Sequence, residues 1–243
     1  MKSLKNFPWL PFRLLVFVVG LGVLMSFAKM KNDQRKVLNI NIKIDHPEQP
    51  YLTVESVNKL LIEKYGAITS QHKVDLVLNN LEHTIRRLPA VQSAEVYLRL
   101  DGQLQVDVTQ RLPVGRVLLG ERSYYVDQTG ATMPLSDTHT AHVPLVYAAN
   151  AHLDHKALGQ LLAFTQKDAF LKTNIAGVEV LEGSRFVLLL REQSSKVYVG
   201  KAIRLKDKMN NYKAFYQKAV ADGSISTYKW VNLIFDKQVV CVK

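Results

Sequence analysis

The spacing of apolar residues changes several times along this chain, and each change predicts an element. From Leu14 to Ala28 every residue except Ser26 is apolar or glycine, and Phe7 to Phe12 lengthens the run with Arg13 as its single internal charge. At ~1.5 Å per residue, about 20 such residues cross a hydrocarbon core of roughly 30 Å. Trp9 and Arg13 then sit near the headgroups, where the ring anchors and the guanidinium snorkels outward. The alternative is a cleaved signal peptide, with Lys2, Lys5 and Arg13 before the apolar core and Ser26-Phe27-Ala28 as a small-x-small cleavage site. The run is long for a signal core, so the expectation is a short cytoplasmic segment over 1–12 and a retained signal anchor over 13–29.

Beyond the span the period becomes two. Leu38, Ile40, Ile42 and Ile44 alternate with Asn39, Asn41, Lys43 and Asp45, which predicts a strand with one buried face. His46-Pro47 and Pro50 end it. Thr53 then caps a helix with Val54, Val57, Leu61 and Tyr65 on one stripe, and Gly66 supplies the left-handed residue past its end. Val74, Val77, Leu78, Leu81, Ile85 and Leu88 keep helical spacing over four turns until Pro89 stops them. The period returns to two in Ala94, Val96, Leu98 and Leu100, and Leu104, Val106 and Val108 continue the same face after Asp101-Gly102, read as a two-residue type I′ turn. Strand, two helices and a hairpin over 37–114 make a small module with a free sheet edge, suited to binding another chain by strand addition.

The remainder, 115–243, predicts a β-rich domain with packed helices. Val117-Leu118-Leu119, Tyr124-Tyr125-Val126 and Val143 to Val146 read as strands, and Leu158, Leu161, Leu162 and Phe164 as a helix. Val178 to Leu181, Phe186 to Arg191 and Lys196 to Val199 form a meander, followed by a long helix through Leu205, Met209, Tyr212, Tyr216 and Ala219 and a terminal strand pair. The fold class is therefore α+β behind a single transmembrane helix.

Composition adds compartment and charge. About 215 residues beyond the span at a hydrophobic fraction of 47% bury ordinary cores, and the lone Cys241 cannot form an internal disulfide. The net charge of +11 falls only to +8 when Lys2, Lys5 and Arg13 are set aside, so the excess belongs to the exported part and suits acidic partners or anionic surfaces. Nucleic acid is disfavoured, because no basic helix interleaved with stacking aromatics is present. Charge does not set orientation, since Lys29, Lys31, Arg35 and Lys36 follow the span; long domains translocate largely regardless of it.

Catalytic chemistry finds little purchase. His139 with His142 and His152 with His155 have the His-x-x-His spacing of zinc ligands, but neither is the His-Glu-x-x-His helix of a zinc protease, and both also read as polar loops. No Gly-x-Ser-x-Gly elbow, phosphate-binding loop or dinucleotide fingerprint occurs. Cys241, in an apolar strand, reads as a small core residue. The expectation is a binding protein with no catalytic residues, no metal and no cofactor.

The order of elements, with Leu88-Pro89-Ala90-Val91 leading into Ala94-Glu95-Val96 and Gln110-Arg111-Leu112-Pro113-Val114 closing the hairpin, resembles a POTRA domain of the FtsQ/DivIB family. Tyr124-Tyr125-Val126-Asp127, Gly130 and Met133-Pro134-Leu135 continue the likeness, and Trp230 to Val240 is similar to the last strands of a Bacteroidetes-like branch of that family. The resemblance implies a bitopic inner-membrane protein of bacterial division with a cytoplasmic N-terminus and its bulk in the periplasm. Implied partners are FtsB and FtsL, with FtsK, FtsW and the septal transpeptidase as further candidates, and the implied role links early and late stages of septal peptidoglycan assembly. A POTRA-bearing chaperone or adaptor for outer-membrane proteins is the alternative, and a membrane-tethered hydrolase a third.

Carried over residue by residue, the resemblance puts the partner site at the C-terminal edge. Phe235 stands where the family's binding strand carries an aromatic, Lys237, Gln238 and Val239 come directly after it, and Lys201, Arg204 and Lys208 match the basic start of the neighbouring helix. Better-known members carry small residues in place of Lys237-Gln238. Arg204 and Lys208 lie at i and i+4, and like charges so placed destabilise a helix unless a partner offsets them.

Overall fold

The computed structural model describes residues 9–33, 36–70, 76–136, 138–149, 152–236 and 238–243. Lys2, Lys5, Val74 and Lys237 lie outside them, as do 1–8 as a whole. Helix α1 runs Trp9–Asp33, and its 19-residue stretch Arg13–Lys31 has a mean hydropathy of 1.9 with no part buried in the protein. A helix apolar on every side and exposed along its length among the described residues is a candidate membrane span by length and composition.

The chain divides into two compact units, and the first includes α1. It contains β1 (Asn39–Ile44), α2 (Val54–Tyr65), α3 (Leu78–Arg86), β2 (Val91–Leu98) and β3 (Gln103–Gln110), with sheet order β1-β3-β2. β1 runs parallel to β3 from Asn39 opposite Gln103 to Ile44 opposite Val108. A parallel pair needs a crossover connection, and α2 and α3 supply it. Thr53 caps α2 by accepting from the Ser56 N–H at 3.2 Å while the Ser56 hydroxyl accepts from the Thr53 N–H at 3.3 Å. Val57, Leu61, Leu81 and Ile85 from the helices are buried, as are Ala94, Val96, Leu104, Val106 and Val108 from the strands. The opposite sheet face is polar: Asn41 donates to Gln105 at 2.9 Å, Gln105 to Asp107 at 2.6 Å and Tyr97 to Asp107 at 3.0 Å.

Two local expectations are corrected here. α3 starts at Leu78, because Val77 is extended at φ −84 and ψ 90 and offers no side-chain cap, and it ends at Arg86. Leu88, which precedes Pro89, is barred from the α region by the adjoining proline ring. The hairpin turn is also longer than two residues. Arg99 N–H donates to Gln103 O and Gly102 N–H to Arg99 O, so the loop is Leu100, Asp101 and Gly102, with positive φ at Gly102 alone. Asp101 instead uses its carboxylate to accept from the Gln103 N–H at 3.0 Å, and Leu100 sits at the tip, 93% exposed. The three-residue loop places its glycine at the left-handed position. At φ +86, a Cβ on Gly102 would also lie 3.3 Å from Leu38 Cγ. Gly102→Val should therefore cost about 1–3 kcal/mol, read as a lower melting temperature of the purified protein.

The second unit takes in 46–52, 88–92 and 110–243. Its strands are β4 (Pro113–Leu119), β5 (Arg122–Asp127), β6 (Thr132–Met133), β7 (Leu145–Ala148), β8 (Ile175–Leu181), β9 (Arg185–Leu190), β10 (Lys196–Gly200), β11 (Trp230–Asn232) and β12 (Val240–Val242). They form one mixed sheet in the order β12-β11-β10-β9-β8-β7-β4-β5-β6, with β4–β7, β7–β8 and β10–β11 parallel. Helices α4 (His155–Lys167), α5 (Ala169–Asn174) and α6 (Leu205–Ala221) accompany it. Val117, Val146, Val178, Phe186, Leu188, Val197 and Val231 from the sheet share one core with Leu158, Leu161, Leu162, Leu171, Met209 and Tyr212 from the helices. Alternate strand positions and a stripe of each helix thus bury against each other, as an α+β layer requires. Asp154 and Asp168 start α4 and α5 by accepting from the Ala157 and Leu171 N–H groups. The protein is mixed α+β with a β-rich C-terminal region, as the apolar periods predict.

Candidate partner-binding edge

β12 ends the sheet. It pairs with β11 through Trp230 opposite Val242, Val231 opposite Cys241 and Asn232 opposite Val240, and no strand flanks its other side among the described residues. Such an edge presents unpaired N–H and C=O groups to any incoming chain. Alternation sends Val231 and Cys241 toward the core, where burial raises the Cys241 thiol pKa. Trp230, Val240 and Val242 stand exposed. The Lys196 ammonium lies 5.8 Å from the Trp230 ring centroid, within cation–π range, and also pairs with Glu179 at 2.7 Å.

The connection from β11 to β12 carries more apolar surface. Leu233 is buried, whereas Ile234 and Phe235 are exposed, Phe235 at 42%. Asn232 Oδ1 accepts from the Ile234 N–H at 3.0 Å, and Asp236 pairs with Arg204, whose hydrogen bond holds the Asp236 carboxyl below its ordinary range. Arg204 precedes α6 with a left-handed backbone at φ 52. Ile234, Phe235, Asp236 and Gln238 line an open hollow of about 450 Å³.

The structure sorts the sequence-derived residues. Phe235 and Gln238 are exposed beside the edge, Val239 packs against the core, Lys201 is exposed, and Lys237 lies outside the described residues. Arg204 is exposed but engaged with Asp236. Lys208 is not a surface cation: it is 6% exposed, and its ammonium donates to the Val199 and Lys201 carbonyls at 2.7 and 2.9 Å. Burial and the neighbouring Arg204 lower its pKa. Spacing from Arg204 suggested a solvated face, but Lys208 shares the buried side of α6 with Met209 and Tyr212. The residues that sequence reasoning left out of the site are Trp230, Ile234, Val240 and Val242; the flanking of Cys241 by two valines was the signal for the last two.

Three of the four histidines have other surroundings. His139 packs edge-on against Tyr51 at 5.0 Å, His155 Nε2 bonds the Tyr124 hydroxyl at 2.9 Å, and His142 borders a cavity. Among the described residues no three His, Cys, Asp or Glu are grouped to hold a metal ion.

A comparison with curated proteins finds no match. The family model described as FtsQ/DivIB, C-terminal related, matches residues 112–242. That stretch is more than half of the 243-residue chain and takes in every strand from β4 to the exposed edge at β12, so this protein belongs to the FtsQ/DivIB family and serves cell division.

Proposed function

We propose that this protein is a bitopic, non-catalytic scaffold of the division machinery that captures FtsB, together with FtsL, at the β12 edge. The observation that carries the reading is the juxtaposition of an unpaired edge strand with exposed Trp230, Phe235, Val240 and Val242. Main-chain bonds to an added strand supply affinity, and aromatic anchors beside them supply specificity. The strand-helix-helix-strand-strand unit acts as a POTRA module, α1 as an uncleaved anchor, and the bulk lies in the periplasm. FtsK, FtsW and the septal transpeptidase are the further partners, enriched with it at the septum. The protein thereby joins early and late stages of septal peptidoglycan assembly.

Depletion followed by microscopy tests the function. Filamentous cells are expected; cells of normal length that lose outer-membrane proteins would replace this reading with the chaperone one. Topology is tested separately by alkaline phosphatase fused at Lys243. The fusion should be active and membrane-bound, and an inactive fusion or a soluble product beginning near Lys29 would remove the anchor.

A further inference from the structure

We propose that the cavity at the start of β7 and β8 binds a short acidic peptide, a site separate from the β12 edge and independent of the scaffold reading. The cavity holds about 500 Å³, within the range of ligand-sized clefts. Its polar residues come from four places: His142 before β7, Gln166 on α4, Lys172 on α5 and Arg191 after β9. No carboxylate is among the residues that line it. Lys196, Arg204 and Lys213 on this unit are each answered by an acid, Glu179, Asp236 and Asp168 in turn. Here the side chains of Lys172, His142 and Gln166 make no hydrogen bond or ion pair with a described residue.

Arg191 is placed for the task. Its Nε donates to the Thr173 carbonyl at 3.1 Å and its backbone N–H to the Asn174 carbonyl at 2.8 Å, which fixes the guanidinium at the end of α5. Its other N–H groups have no partner among the described residues, and a planar fork of this kind matches a carboxylate with two parallel bonds. Leu145 and Ile175 add apolar wall between the cations. A bare inorganic ion would leave that wall unused, whereas a peptide sets aliphatic carbon on it while its carboxylates reach Lys172 and Arg191. Gln166 adds an amide that can meet the peptide backbone.

The test titrates the detergent-solubilised full chain, by calorimetry at constant ionic strength, with N-acetyl-Ala-Glu-Val bearing free carboxylates, with its neutral Gln amide counterpart, and with inorganic phosphate. Saturable binding of the acidic peptide is expected, at least tenfold tighter than either of the other two. Lys172→Glu, an exposed change that breaks no bond, should weaken it tenfold or more with an unaltered melting temperature, while Lys206→Glu on α6 should leave it unchanged. Absence of saturable binding, equal affinity in Lys172→Glu, or phosphate binding as tightly as the peptide would each overturn the proposal.

Discussion

Asp127→Ala should destabilise the second unit by about 3–5 kcal/mol, the range for removing one partner of a buried ion pair. Asp127 is 3% exposed and pairs with Arg111 Nη1 at 2.5 Å. Its other oxygen accepts from the Thr129 N–H, the Thr129 hydroxyl and the Ala131 N–H at 2.7–2.8 Å. Arg111 also donates from Nε to the Pro89 carbonyl and from Nη2 to the Val91 carbonyl. One carboxylate thus closes the turn from β5 to β6 and holds the arginine that gathers 88–92. The change would strand Arg111 and leave two N–H groups of the turn to water. Gly130 brings the turn close to the start of α4, where a Cβ at this position, at φ +88, would meet the His155 carbonyl at 2.6 Å. Arg111→Leu should cost less, because Oδ1 keeps its three local donors, and a double-mutant cycle should show coupling between the two.

The same carboxylate has a pH signature. Burial pushes its pKa up, but the Thr129 hydroxyl, Arg111 and the Ala131 and Thr129 N–H groups outweigh burial and hold it below the ordinary range. A folded value below the unfolded one gives stability that is full above about pH 4 and is lost as pH falls through the folded value. Chemical denaturation between pH 7 and pH 3 should show that loss in the native protein and much less of it in Asp127→Ala. Equal acid sensitivity in the two would remove Asp127 from the account.

Phe235→Ala should weaken the proposed binding of FtsB by about 2 kcal/mol or more, roughly a 30-fold rise in Kd, with little change in melting temperature. Phe235 could have been a core residue, in which case truncation would lower stability instead. Its exposure beside exposed Ile234 argues against that outcome. Trp230→Ala should act in the same direction, since its ring lies beside Lys196 on the exposed side of β11. Lys201→Glu should weaken binding mainly at low salt, as an exposed charge is screened over about 10 Å at 0.1 M. Arg204→Glu is the poorer probe, because it also sets a carboxylate against Asp236 and so perturbs the 234–236 segment itself. Binding and melting measured on the same variants decide the matter: a folded Phe235→Ala protein with unchanged affinity takes Phe235 out of the site.

The elements themselves were legible because their causes are local. Alternation marked β1, a capping threonine opened α2, and Leu205 to Ala219 marked α6, since burial on one face imposes a period of two or 3.6 whatever the rest of the chain does. The family was legible through the order of such elements behind an apolar run. Details that depend on a single backbone angle were not: Asp101-Gly102 fits both a two-residue and a three-residue loop, and only hydrogen bonds from Arg99 chose between them. α5 escaped because six residues hold too few turns to show a period, and Asp168 both ends α4 and caps α5.

By itself, then, the sequence determined where most strands and the longer helices form, that one helix is apolar all round, and that most of the positive charge lies beyond that helix. Tertiary structure alone decided which strands far apart in sequence meet. β4, β7 and β8 lie side by side in parallel although β7 and β8 are separated by two helices, and β12 stands at the edge because β11 runs parallel to β10 rather than beside β9. It also decided that Lys208 is inside, that Arg204 answers Asp236, and that His142, Lys172 and Arg191 border one cavity. The physical reason is common to all of these. Pairing across long stretches of chain is set by how the apolar faces close over one core, and a polar side chain's surroundings are set by that closure, not by its neighbours in sequence.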